Sequence, residues 1–522
     1  MSDVFTLGES EIVNNPITRR DYQVGLYYGE LGLDYQFTEK HALGFLFSAQ
    51  YRDWQMDSDA NNNRTTDGVL LNIMNNNTER NQFFRTLSNI NYKFQITPDR
   101  VFSLDYDYIR FKRENPTDYS IRTTRNDQSV EERFSKSDSK TPLNIHVLAA
   151  NYTDKLAKSL QLETGVKWTT SVFENDLIFE DFTNDTFIPN PLFTDDFSMD
   201  ENIYAGYLSL DWNINEKLQF KGGARYEQYK INLQSLKNGI LLNRENGRIY
   251  PNIFFRYMVT DDMDLNLSYS ERVERPGFLI LAPAFYFYDQ FTLFTGNPII
   301  IPTISKRIKF DLRYKKLTVN VLYTDYENPT FNLQPDIDEE LGLYKIRPLQ
   351  AEEGNTISLS SSMPIKITNK WNSRINANFN RIQQQPIIEG FTLKNINFNY
   401  NLLVVNSYQF GANLEAELSS QYYSRLQYSA AEIDPRWGID FGLRKKFKGG
   451  QSLAFNVTDV FNTMSQYKVG FDAAAAEIRY KAFYDLEGPI FRISFSTPFG
   501  NKNLKRMAKR ASMSNEEQER LN

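Results

Sequence analysis

A two-residue rhythm runs through this chain from end to end, and it restricts the possible folds more than any other feature. In the run Tyr204 to Trp212, one phase collects Tyr204, Leu208, Leu210 and Trp212 and the other Ala205, Ser209 and Asp211, with Tyr207 the exception. Phe102, Leu104, Tyr106 and Tyr108 stand against Ser103, Asp105 and Asp107 in the same way, and Leu414, Ala416 and Leu418 against Glu415 and Glu417. Near the C-terminus Phe491, Ile493, Phe495, Thr497 and Phe499 alternate with Arg492, Ser494, Ser496 and Pro498. Side chains alternate faces on a β-strand, so each segment has one greasy and one wet side. Soluble sandwiches alternate too, but their strands run to about five or six residues, whereas a tilted strand crossing a bilayer needs roughly 9 to 11. Runs such as Leu453 to Phe461 and Leu317 to Pro329 reach the longer length, with aromatics gathered near their ends. The expected fold is all-β, an antiparallel transmembrane β-barrel with lipid outside and a polar interior.

Composition fits that class. The 522 residues include no Cys, two His, 31 Tyr and 39 Phe, with a formal charge of -6. Without cysteine there are no disulfides or thiolate metal sites, and a centre built on His41 and His146 alone is improbable, so no metal or cofactor is expected. Mean hydropathy is -0.53 and no stretch nears the roughly 20 apolar residues of a membrane helix. A barrel escapes that criterion because only alternate residues face lipid. The first residues lack the basic flank and apolar run of a signal peptide, so the chain reads as processed or as a fragment.

Short links alternate with long polar stretches. The short links include Thr38 to His41, Thr97 to Arg100, Asn213 to Glu216 and Lys448 to Gly450. The long stretches include Met56 to Gln82, Glu114 to Thr141, Glu174 to Glu201, Pro276 to Pro302 and Thr330 to Gly354. Bacterial barrels have short periplasmic turns and longer extracellular loops, which orients the chain. Ten descending and nine ascending segments follow, about 19 strands. An odd count beginning and ending on a descending strand suggests three missing leading strands, part of a 22-stranded receptor-type barrel. The first strand, near Asp21 to Phe37, and the last, near Glu477 to Phe499, would then fail to meet along a continuous ladder. Three parts are expected: an irregular segment at 1–20, the barrel at 21–500, and a charged periplasmic tail at 501–522, solvated or briefly helical.

No active site is legible: there is no phosphate loop, no His-Glu-x-x-His and no nucleophile elbow, and acidic pairs such as Glu352-Glu353 sit in turns. The segment Arg275 to Pro302 is the best candidate for ligand contact. It carries Phe278, Phe285, Tyr286, Phe287, Tyr288, Phe291 and Phe294, too many aromatics for a solvated loop. They pack back on the rim or into the lumen, or they stack on a ligand. Arg272 and Arg275 precede them and can pair with Glu271, Glu274 or an anionic ligand. The candidate contact residues are Arg272, Arg275, Phe285, Tyr286, Tyr288 and Phe291.

Ser268 to Pro276, followed by Pro283, by Phe285 to Tyr288, by Gly296-Asn297-Pro298 and by Pro302, resembles a signature of the Bacteroidetes-type outer-membrane β-barrel family, which is related to TonB-dependent receptors. The run Asn456 to Asn462 resembles the penultimate strand of those receptors. Pro298 to Pro302 is greasier than is usual there, and no plug or TonB-contacting segment is visible. The resemblance implies an outer membrane location, contact with outer membrane lipid, no nucleic acid partner, and binding or uptake of a bulky nutrient. TonB-type energy coupling would need a plug supplied by a missing N-terminal region. A non-transporting barrel that anchors or assembles surface partners, or a passive channel, are the alternatives.

Overall fold

The computed structural model describes residues 2–521 except 8–9, 283–284, 288–291, 339–342, 389–390, 430, 474–477 and 500–511. Among the described residues, nineteen antiparallel strands succeed one another around a single wall, from Ser10–Gln36 and His41–Thr66 to Ser452–Thr458 and Ile490–Ser496. The short links are tight turns at one end of this wall, and the longer connections lie at the other. Among the described residues no helix is long and apolar enough to cross a membrane. The lipid-facing phase is as the rhythm requires in Asp195–Asn213, where Leu208, Leu210 and Trp212 are exposed and Ser209 and Asp211 between them are half-buried.

Three expectations are corrected. The described residues of the segment 1–20, expected to be irregular, are strand: Ser2–Leu7 and Ser10–Gln36 pair Asp3 to Asn14 and Leu7 to Ser10. Several of the long polar stretches are not loops. His41–Thr66 and Val69–Thr97 pair without a break up to Thr66 and Val69, joined by Asp67 and Gly68 at φ 48° and 81°. Two adjacent residues with positive φ are the mark of a tight hairpin turn whose twist matches its strands, and Asp-Gly is a favoured pair for it. Above the membrane band the polar residues still alternate, and the Asn72 amide donates to Asn61 and Asn63 Oδ1 across the hairpin, both at 2.9 Å. Asn184 and Asp185, at φ 53° and 61°, close the Leu160–Thr183 hairpin in the same way.

The interior is not uniformly polar, which is the third correction. In Arg100–Glu114 the inward phase carries Asp105 and Asp107 and continues with Ile109 and Phe111. Leu143, Ile145 and Val147, then Phe173, Met199, Ile203, Ile231 and Leu233 from neighbouring strands, complete an apolar cluster on the inside of the wall. Tyr207, out of phase in the rhythm, points inward: its hydroxyl donates to Asn151 Oδ1 at 2.8 Å. Its ring lies over Gly165 on the adjoining strand, where a Cβ would sit 2.7 Å from Tyr207 Cε1.

At the end bearing the longer connections, Ser2–Leu7 joins the two ends of the sheet, pairing with Ser10–Gln36 on one side and with Ile478–Asp485 on the other. Nearer the short turns, no ladder joins Ser10–Gln36 to Ile490–Ser496 among the described residues.

Candidate functional site

The apolar inner cluster has two occupants that are not wall strands. The first is the start of the connection after Met263–Glu274. It turns inward as a single helical turn, Phe278–Leu281, and buries Phe278, Leu281 and Ala282 against the wall, with Phe278 stacked on Phe173 at 6.2 Å. The second is the C-terminus. Residues 512–521 include the helical turn Asn515–Glu519, and Met513 and Leu521 pack on the same cluster.

Charge fixes the second occupant in place. Arg520 lays its guanidinium on Glu201, Nη1 to Oε1 at 2.5 Å and Nη2 to Oε2 at 2.9 Å, and its Nε donates to the Pro276 carbonyl at 3.0 Å. The same guanidinium lies 4.0 Å from the Phe278 ring centroid. Burial alone would weaken the Arg520 charge, but the Glu201 carboxylate outweighs it and holds the guanidinium above its ordinary pKa. Glu517 receives Lys167 Nζ at 2.8 Å and the Thr169 hydroxyl at 3.0 Å. Glu516 pairs with Arg275, which also pairs with Glu227 and sits 5.2 Å from the Tyr229 ring centroid. Ser512 donates to Asp107 Oδ2 at 2.9 Å. Ser514, Glu517 and Arg520 are buried while Asn515 and Glu519 are exposed, the spacing of the two faces of a helical turn.

Of the tail expected at 501–522, solvated or briefly helical, residues 512–521 hold a short helical turn, but one seated inside the barrel and not in periplasmic solvent. Its contacts lie roughly 20 to 40 Å along the strands from the short-turn end at the usual rise per residue. Acid and base both face it, which a charge run in the sequence does not disclose. The one sequence signal that could have found it is the spacing of Glu517, Arg520 and Leu521, a polar and apolar face on a very short helix.

Of the predicted contact residues, Arg275 is buried and belongs to this network, whereas Arg272 is exposed on the wall strand. Phe285 and Tyr286 form strand pairs with Thr295 and Phe294. Tyr288 and Phe291 lie outside the described residues. Phe287, which follows Tyr286, is buried with Tyr119, Phe179, Phe193, Leu293 and Leu343, its ring 4.8 Å from Phe193 and 5.0 Å from Phe179. This stretch joins a small second sheet of Phe285–Phe287, Thr292–Thr295, Leu343–Gln350 and Thr330–Asp338.

The Gly-Asn-Pro motif is the clasp of that arrangement. Gly296 passes so close to the inward turn that a Cβ would lie 2.1 Å from the Ala282 carbonyl oxygen. Asn297 is buried; its backbone N–H donates to the Ile280 carbonyl at 2.7 Å and its amide to the Pro348 carbonyl at 2.9 Å. The unusually apolar run that follows is explained by Ile300, which enters the inner cluster. On the other flank of Arg275 a cleft of about 380 Å³ opens, lined by Pro276, Ile280, Tyr326, Phe331 and Gln384. In the second motif, Asp459 accepts from the backbone N–H groups of Thr463, Met464 and Ser465, pinning the chain where Ser452–Thr458 ends.

Several solved receptor structures share this fold. The pyoverdine outer membrane receptor FpvA from Pseudomonas aeruginosa PAO1 aligns at 11% identity over 95% of this chain and 78% of its own, with a TM-score of 0.54. The siderophore receptor PiuA from Acinetobacter baumannii aligns at 10% identity, 93% and 79%, with a TM-score of 0.52. The ferric-catecholate import receptor Fiu from E. coli K12 aligns at 10% identity, 92% and 80%, with a TM-score of 0.50. At such identities the likeness is one of fold. A search of curated proteins gives no match. Residues 92–496 match the sequence family described as the outer membrane protein beta-barrel family, so the chain belongs to that family and its place is the outer membrane.

Proposed function

We propose that this barrel binds a bulky nutrient in its lumen and takes it up across the outer membrane, as a receptor and not as an enzyme or an open pore. One observation carries the proposal. The connection after Met263–Glu274 is folded inward and clasped there, with the 380 Å³ cleft beside its buried Arg275. Sites are commonly carried by loops on a rigid scaffold, and this wall supplies the scaffold. The proposed contacts are Arg272, Arg275, Phe285, Tyr286, Tyr288 and Phe291. The shared fold with siderophore receptors supports a ligand too large for passive entry, without naming it. Energy coupling through a TonB-type partner would require a plug.

The test is equilibrium binding by the full chain in lipid nanodiscs, using ferric chelates, oligosaccharides and oligopeptides as probes. Binding of one class that Tyr286→Ala with Tyr288→Ala weakens at least tenfold, with the barrel still folded, is the expected result. No binding by any probe, together with rapid swelling of proteoliposomes in small sugars, would identify a passive channel instead.

A further inference from the structure

We infer that the inner wall around Lys167, Thr169, Glu201 and Arg275 is a peptide-binding site, and that residues 512–521 are its tethered occupant. The inference rests on the receptor reading of the lumen and deepens it by naming a ligand class. The wall presents two cationic side chains, Lys167 and Arg275, to two adjacent carboxylates, and one anionic side chain, Glu201, to a guanidinium one turn later. With residues 512–521 seated, Glu201 has no exposure and Arg275 almost none, so each of these charges is fully enclosed by its partners. Apolar ground lies beside them for Met513 and Leu521. The receptor side offers one donor still open, because Arg275 Nε is buried without a hydrogen-bond partner.

What the site selects follows from that pattern. A segment reading acid, acid, two spacers and arginine, with an apolar residue next, pairs with Arg275, Lys167 and Glu201 in turn. Burying any of these wall charges without its partner costs free energy, so a peptide lacking the acids or the arginine is disfavoured. A tethered copy gains from a high effective concentration, which means a free peptide binds only when the tethered one is released. The tail holds the wall through its own side chains, by ion pairs, hydroxyl hydrogen bonds and the apolar contacts of Met513 and Leu521, so a change confined to the tail releases it without touching the barrel.

The probe is a fluorescent synthetic peptide of residues 512–522, titrated into the full chain in nanodiscs and read by anisotropy. Arg520→Glu faces Glu201 with a like charge and frees the tail. An Asn515→Cys spin label, unique because the chain has no other cysteine, reports that release. The wild-type chain should bind the peptide at least tenfold more weakly than the Arg520→Glu chain, and peptide carrying Glu516→Gln and Glu517→Gln should lose at least tenfold in affinity for the latter. Heat-modifiable mobility on gels checks that both barrels are folded. Failure of the freed site to bind the peptide, or equal binding to both chains, overturns the inference. If a ferric chelate or oligosaccharide binds in that case, the receptor proposal survives; if nothing binds, it falls as well.

Discussion

Glu201 and Arg520 meet on the inner wall of the barrel through two hydrogen bonds, 2.5 and 2.9 Å, although they stand 319 positions apart in the sequence. Neither side chain could be paired from the sequence, and each would be costly to bury alone. The contact ties a wall strand to the C-terminus and, through the Arg520 bond to the Pro276 carbonyl, to the inward-turned connection.

Replacing Arg520 by Ala should free residues 512–521 while the wall stays intact. Truncating one partner of a buried, hydrogen-bonded charge pair costs about 2 to 5 kcal/mol. Here that loss falls on docking of the segment, because Glu201 regains lumen water once the segment leaves. Hydrogen exchange should show faster exchange at Asn515 to Arg520 with unchanged protection in the wall; uniform loss of protection would place Arg520 in the folding of the barrel itself.

Arg at Leu208 should impair insertion far more than Arg at Ser209. Leu208 is exposed on the lipid phase and Ser209 faces inward. A cation on the lipid face near the bilayer midplane costs roughly 2 to 4 kcal/mol. Folding yields into liposomes across a urea series measure the difference, and equal yields would reverse the assigned faces.

Gly296→Ala should loosen the clasp. The added Cβ meets the backbone carbonyls of Ala282 and Ile280, which cannot move aside without shifting the inward turn. A cost of about 1 to 3 kcal/mol is expected for such overpacking. Limited proteolysis should then cut between Pro276 and Pro302 in the variant and spare the wild type, while the barrel keeps its heat-modifiable mobility.

The wall was legible because its physics is local. Period-two patterning fixed the strands and the lipid face, and all nineteen strands lie near their expected places. The extended hairpin at 41–97 was missed because polar residues alternate as readily as apolar ones, although Asp67-Gly68 carried the turn signal. The apolar inner face was missed for a different reason: alternation separates two faces and does not say which contacts water. Ile109 and Phe111 share a phase with Asp105 and Asp107, so the change from wet to dry occurs within one face. The seat of 512–521 depends on charges brought together only by closing the sheet, and no local pattern encodes it.

Crosslinking in native outer membranes tests the seating of the C-terminus most directly. With Ser512→Cys as the common partner in an otherwise cysteine-free chain, a short bismaleimide should join it to Asp107→Cys, midway along its strand on the inner wall, and not to Asp99→Cys in the short turn below. Crosslinking to position 99 alone would put the segment outside the lumen, at the periplasmic end, and contradict the account.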